Sequence, residues 1–178
     1  MNTDFENAPT TLEELVKRLP RTMSEADVVA IREVYAFAEA AHAGIVRASG
    51  DPYILHPLAV AGILADLRLD ARAIMAGLLH DVAEDTQYNI TYLAERFGLD
   101  VAALVDGVTK LEDIKKFTDK GFGDGVDPRQ RSQQDETLRK MFLAMAEDIR
   151  VVMIKLADRL HNIRTLGHLK EHKRRRIA

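Results

Sequence analysis

Residues 57–67, Pro-Leu-Ala-Val-Ala-Gly-Ile-Leu-Ala-Asp-Leu, carry one charge in eleven positions. Pro57 suits the first turn of a helix, where its missing N–H has no partner to lose. A helix that is apolar around its whole circumference has no face to offer water. The run is also well short of the roughly 20 residues needed to cross a bilayer. It must therefore be wrapped by other parts of the same chain. Those parts read as helix too: Val28, Val29, Ile31, Val34, Tyr35, Ala38 and Ala41 recur at helical spacing, and no β-type alternation appears anywhere. The predicted fold class is all-α, a helical bundle.

Start and stop signals divide the chain further. Thr11-Leu-Glu-Glu14 is a capping-box signature for a short helix bounded by Pro20. Ser24 caps a long helix running to about His42, and Ser49-Gly-Asp-Pro52 is a turn. Asp70 caps a helix reaching about Ala83. Asn89 or Thr91 caps a short one stopping at Gly98, and Asp100 opens another through about Thr109. Between Glu112 and Gln134, three glycines (Gly121, Gly123, Gly125), Pro128 and many charges predict a mobile loop. Helices over about Gln134–Ala146 and Asp148–Leu166 follow. The predicted division is a helical extension over 1–22 and one domain over 23–178. Lys170–Ala178 reads as the first turns of a helix, so the chain is expected to be a piece of a longer protein. Lys173–Arg176 is either a binding tail or a solvated helix face.

Composition removes several classes of function. With no cysteine, a disulfide framework, a thiolate zinc site and a thiol nucleophile are excluded. The 25 Lys+Arg against 28 Asp+Glu leave a formal charge of −3, which argues against non-specific binding to duplex nucleic acid but not against a local basic pocket. The polar, acidic N-terminus has no secretory pattern, and no membrane partner is expected. A cytoplasmic location fits the absence of cysteine.

Three stretches place polar groups in apolar surroundings. In Leu78-Leu-His-Asp-Val-Ala-Glu-Asp-Thr86, His80 and Glu84 are four apart, as are Asp81 and Asp85, so each pair shares a helical face. In Val151–Thr165, the positions Val151, Ile154, Asp158, His161, Asn162 and Thr165 form one stripe that begins apolar and turns polar. An inward carboxylate needs a partner; Asp158 finds either a metal or an arginine, with Arg47, Arg159 and Arg164 as candidates. His56 stands where a loop enters the apolar helix. Together His56, His80, Asp81 and Asp158 form a set of two imidazoles and two carboxylates suited to Mn²⁺, Fe²⁺ or Zn²⁺. Two carboxylates, Glu84 and Asp85, close a helix whose dipole disfavours them there, which suggests a compensating cation.

The order His … His-Asp … Asp resembles the HD-domain phosphohydrolases. More closely, the segments Arg47–Pro57, Leu79–Thr86, Asp106–Leu111, Glu136–Met141 and Asp148–Thr165 resemble, in order, the hydrolase domain of the RelA/SpoT homologue family. The resemblance implies an HD-domain helical bundle that hydrolyses the 3′-diphosphate of guanosine tetra- or pentaphosphate, releasing pyrophosphate and GDP or GTP, with Mn²⁺ as the preferred ion. By motif position it implies His56, His80, Asp81 and Asp158 as metal ligands and Glu84 and Asp85 as the catalytic pair. It places the nucleotide near Arg47 and Ser49, and Asn162 and Thr165 lie one and two turns beyond Asp158, within reach of ribose or base. It further implies downstream synthetase and regulatory domains in the full-length protein, with no synthetase domain among these residues.

The chain departs from the family pattern in two places. Ala48 stands where the family commonly has Lys, and Ile45 where it commonly has Gln. Loss of a cation beside the nucleotide weakens or shifts substrate preference without touching the metal chemistry. The alternatives are an HD hydrolase of another phosphorylated nucleotide, or a nucleotide-sensing regulatory module with low turnover.

Overall fold

The computed structural model describes residues 8–47, 49–118 and 148–165. Within them lie α1 (Leu12–Arg18), α2 (Glu25–Ala41), α3 (Leu55–Asp66), α4 (Ala71–Leu79), α5 (Val82–Asp85), α6 (Ile90–Phe97), α7 (Leu99–Thr118) and α8 (Ile149–Arg164). Among the described residues there is no strand, only an isolated bridge between Val46 and Pro52 that pinches the turn before α3.

The apolar run occupies the centre. Every residue of α3 from His56 to Ala65 is buried, with α1, α4 and α8 packed around it. Helix α4 contacts α2 and α7 in turn, and α7 carries α6 and α8. Leu58, Leu64, Ile74, Leu78 and Leu79 are fully buried, and each such side chain contributes about 1.5–3 kcal/mol relative to exposure. Two glycines allow the close approaches. A Cβ on Gly77 would lie 2.5 Å from Leu64 Cδ1, and one on Gly107 would lie 2.8 Å from Val151 Cγ2. The first seats α4 on α3 and the second seats α8 on α7, so both set where the polar residues of those helices end up.

The caps follow the side-chain chemistry. Ser24 and Asp27 form a reciprocal capping box. Thr11 caps the N–H of Glu14 at 3.3 Å, while the Glu14 carboxylate reaches one residue further back, to the N–H of Thr10 at 2.7 Å. Asp70 accepts from the N–H of Ala73, Asp148 accepts from that of Arg150, and Asn89 rather than Thr91 caps α6. Leu15 of α1 is fully buried against the bundle.

Two boundaries differ from expectation. The helix begun at Asp70 ends at Leu79 rather than near Ala83, with α5 as a separate short turn. The His80 ring is the cause: its Nδ1 lies 2.9 Å from the carbonyl of Gly77, the acceptor that the Asp81 N–H would use to continue the ladder. The second difference is α7, which starts at Leu99 and runs to Thr118 instead of stopping near Thr109. The loop expected from Glu112 therefore begins no earlier than residue 119. Residues 111–118 contain no Gly or Pro; their Leu, Glu and Lys favour helix, and Leu111, Ile114 and Phe117 recur at helical spacing. The rest of that loop, the helix expected over Gln134–Ala146 and the segment Lys170–Ala178 lie outside the described residues. No helix among the described residues is long and apolar enough to cross a membrane.

Candidate metal centre

Three segments meet at one point: the start of α3, the junction of α4 and α5, and the second half of α8. One nitrogen each from His56 and His80 and one oxygen of Asp158 lie within 4.8 Å of one another, and all three residues are buried. Asp81 closes the set from the junction. Its Oδ1 is 3.1 Å from His80 Nε2, and its Oδ2 is 3.5 Å from His56 Nε2. Asp158 Oδ1 is 3.3 Å from His56 Nε2 and 3.9 Å from His80 Nε2.

The hydrogen-bond inventory shows what this cluster lacks. His80 donates its Nδ1–H to the Gly77 carbonyl, so in the neutral ring its Nε2 carries the lone pair. That atom is buried and has no hydrogen-bond partner. Burial pushes the His56 pKa down, which favours a neutral ring. Burial alone would raise Asp81, but the positive charge that His80 and His56 carry when protonated, together with the Tyr53 hydroxyl, holds it below the ordinary carboxylate value. Asp158 likewise resists the upward push of burial, through the protonated forms of His56 and His80 and through Lys155, and lies well below the usual range. Two carboxylates and the Nε2 atoms of two imidazoles converge on one point. Such a set fits a divalent cation of hard-to-borderline character.

Polar side chains brace the cluster from outside. Lys155 donates to Asp158 Oδ2 at 2.8 Å, leaving Oδ1 to face the imidazoles. Asn162 donates to that Oδ1 at 2.6 Å, and its own amide oxygen accepts from Arg47 at 2.8 Å. The Tyr53 hydroxyl lies 2.8 Å from Asp81 Oδ2 and 2.7 Å from Asp85 Oδ2, tying the two carboxylates together. Burial and then the Asp81 charge push its pKa up, so it stays a donor. The His42 ring stacks on Tyr53 with centroids 4.7 Å apart and planes at 15°. His161 Nδ1 sits 2.8 Å from His56 Nδ1. Burial, then the neighbouring His56 and Arg47, push the His161 pKa down to about 4.

Beside the cluster opens a cavity of about 490 Å³ whose lining includes Arg47, Ser49, Tyr53, His56, His161, Asn162 and Thr165, together with Ala8, Pro9 and Thr10. A model of the HD domain matches residues 34–178. The chain belongs to the HD domain family. This HD domain is 57% identical, over 79% of its length, to the guanosine-3′,5′-bis(diphosphate) 3′-pyrophosphohydrolase of Haemophilus influenzae, and 48% identical, over 93%, to the bifunctional (p)ppGpp synthase/hydrolase SpoT of Escherichia coli. It spans only about a fifth of those relatives, 19% and 22% respectively. A solved metazoan ortholog of SpoT, described as hydrolysing ppGpp, matches with a TM-score of 0.60 and 27% identity over 87% of this chain and 81% of that one.

The HD-domain structure brings His56, His80, Asp81 and Asp158 together, and puts Arg47, Ser49, Asn162 and Thr165 on the adjoining wall. It treats the remaining candidates differently. Glu84 and Asp85 are both exposed at α5; Asp85 is tied to Tyr53, a neutral hydroxyl where a compensating cation was expected. The Thr165 hydroxyl bonds the carbonyls of His161 and Asn162, ending α8. Among the described residues, a cation bonded to Asp158 is Lys155, three residues earlier on the same helix, which was not among the candidate arginines. Sequence reasoning leaves His161 without a role, divides Tyr53 between core packing and a binding wall, and reads Lys155 as solvated in preference to a phosphate contact. His161 already lay on the polar stripe of α8, three residues after Asp158, and that spacing was the available signal.

Proposed function

We propose that this HD domain is a metal-dependent pyrophosphohydrolase that removes the 3′-diphosphate of guanosine tetra- or pentaphosphate, giving pyrophosphate and GDP or GTP. The observation that carries the reading is the convergence of His56, His80, Asp81 and Asp158 on one point beside a cavity of about 490 Å³. The names carried by the relatives supply the substrate class.

In this reading His56, His80, Asp81 and Asp158 hold the ion, and Mn²⁺ is the proposed one. A bound divalent ion lowers the pKa of water and offsets charge building on phosphoryl oxygens. The rest falls to side chains of the chain. Glu84 and Asp85, on the turn after Asp81, are the catalytic pair: they orient the attacking water and take up its proton. Tyr53 holds Asp85 toward Asp81 and so keeps that pair in register with the ligands. Arg47 and Ser49 take the nucleotide from the turn before α3, the guanidinium by stacking or by a forked bond to phosphate. Asn162 and Thr165 meet it from α8. The proposed enzyme works in the cytoplasm, as residues 23–178 of a longer protein with downstream synthetase and regulatory domains. Residues 1–22 are the proposed N-terminal extension of that domain, in which α1 docks through Leu15.

The test is turnover of guanosine tetraphosphate with added Mn²⁺, by the wild-type chain and by Asp81→Ala. Wild-type release of pyrophosphate, absent in the variant, is the expected result. No release by the wild-type chain sinks the activity. A panel of other phosphorylated nucleotides belongs in the same assay, because Ala48 and Ile45 depart from the family pattern. Faster turnover of another member would move the substrate assignment and leave the chemistry standing.

A further inference from the structure

His56 and His161 face each other through the same ring atom. Their Nδ1 atoms are 2.8 Å apart, a separation at which one nitrogen donates a proton and the other accepts it. Geometry decides which. The Arg47 Nη1 lies 3.4 Å from His161 Nδ1. A guanidinium has donors only, so a proton on His161 Nδ1 would point at a cation, whereas a lone pair there accepts from Arg47 and His56 together. His56 must then carry its proton on Nδ1, which leaves its Nε2 bare toward the carboxylates of Asp81 and Asp158. His80 reaches the same state differently, through the Gly77 carbonyl.

We propose that His161 is a positioning residue of the metal centre: backed by Arg47, it accepts the Nδ1–H of His56 and so holds that imidazole in the tautomer that offers Nε2 to a cation. This rests on the reading of the four-residue set as a metal site and adds to it the group that sets one ligand's proton. Arg47 gains a second duty. Through His161 it supports His56, and through Asn162 it supports Asp158. One cation on the cavity wall therefore orients ligands from two separate helices. Outer partners of this kind change metal affinity by about 10–100-fold when removed.

Two measurements test it on the full chain stripped of metal. The first is long-range ¹⁵N–¹H correlation of the histidine rings, which reads tautomers without any substitution. Expected are Nδ1–H on His56 and Nε2–H on His161; the opposite assignment overturns the inference. The second is calorimetric titration with Mn²⁺ alone. His161→Phe keeps a ring of similar size but has no acceptor, and should bind about 10–100-fold more weakly. His161→Asn puts an amide oxygen near the old Nδ1 position and should regain most of the affinity, a rescue that a packing role would not produce. Equal binding by wild type and His161→Phe overturns this inference while leaving the metal site intact. No binding by the wild type overturns the metal site as well.

Discussion

The α3–α4 pair and α8 deliver ligands to one point by different means. In α3–α4 the scaffold is apolar nearly throughout, and His80 is set by its own backbone, through the carbonyl of Gly77 three residues earlier. In α8 one face is buried at Val151, Ile154 and Ala157, while Leu156 and Ile163 remain 58% and 46% exposed. Its ligand Asp158 is held by Lys155 and Asn162 of the same helix, and that network is tied to side chains from elsewhere: Arg47, 115 positions from Asn162, and His56, 105 positions from His161. One region is rigid because it is buried. The other is rigid only while its polar network is complete.

Substitutions can press on that contrast, beginning where the effect is largest. Asp81→Ala, at the junction of the two regions, should cost about three orders of magnitude in turnover or more, the scale seen when one member of a catalytic set acting as a unit is lost. Steady-state kinetics with Mn²⁺ measures it. For stability, Leu64→Ala in α3 should cost about 2–5 kcal/mol by urea denaturation, while Leu156→Ala in α8 should stay within about 0.5 kcal/mol. Equal costs would erase the distinction. Tyr53→Phe removes one hydroxyl shared by Asp81 and Asp85. Hydrogen bonds to charged groups are worth about 1.5–3 kcal/mol, so kcat should fall about ten- to hundredfold, with little change in melting temperature.

The smallest effect is one of pH on the metal-free chain. Unfolded His161 takes up a proton near its ordinary 6.5, whereas the folded ring resists until about 4. Across that window the unfolded chain binds more protons, so acidification favours unfolding. Asp81 and Asp158, both held below the ordinary 3.8, contribute stability that is present above that value and is lost as pH falls through their lowered values. The urea midpoint should therefore decline from about pH 6.5 downward, more steeply in wild type than in His161→Asn. A flat profile above pH 4 would show that the His161 environment does not oppose protonation.

The same contrast explains what could be read in advance. Burial of α3 was legible because composition alone decides it: Leu58 to Ala65 contains no polar side chain. The caps at Ser24 and Asp70 were legible because capping is a local bond across three residues. The end of α4 was missed because a side chain, His80, takes a backbone acceptor, which no propensity records. The extension of α7 to Thr118 was missed because the charges around Ile114 and the glycines beyond residue 120 read as loop, although Leu111, Ile114 and Phe117 keep a helical spacing. At the site, His80 and Asp81 were adjacent on the page, but the partners of Tyr53, at positions 81 and 85, and of His161, at position 56, are joined only by folding. Long-range polar pairs leave no periodic mark on a sequence, so α8 was readable as a helix and not as a network.

His56 lies one residue into α3 and His80 one residue past α4, with four residues, Leu67–Asp70, joining the helices. Both imidazoles thus share one end of the pair, and helix length acts as a gauge between them. Exchange of one apolar side chain for another leaves the gauge unchanged. Insertion or deletion of a single residue within α4 would turn His80 by about 100° and shift it by about 1.5 Å, out of reach of its counterpart. Evolution can repaint this pair of helices freely, but it cannot lengthen either one by a single step.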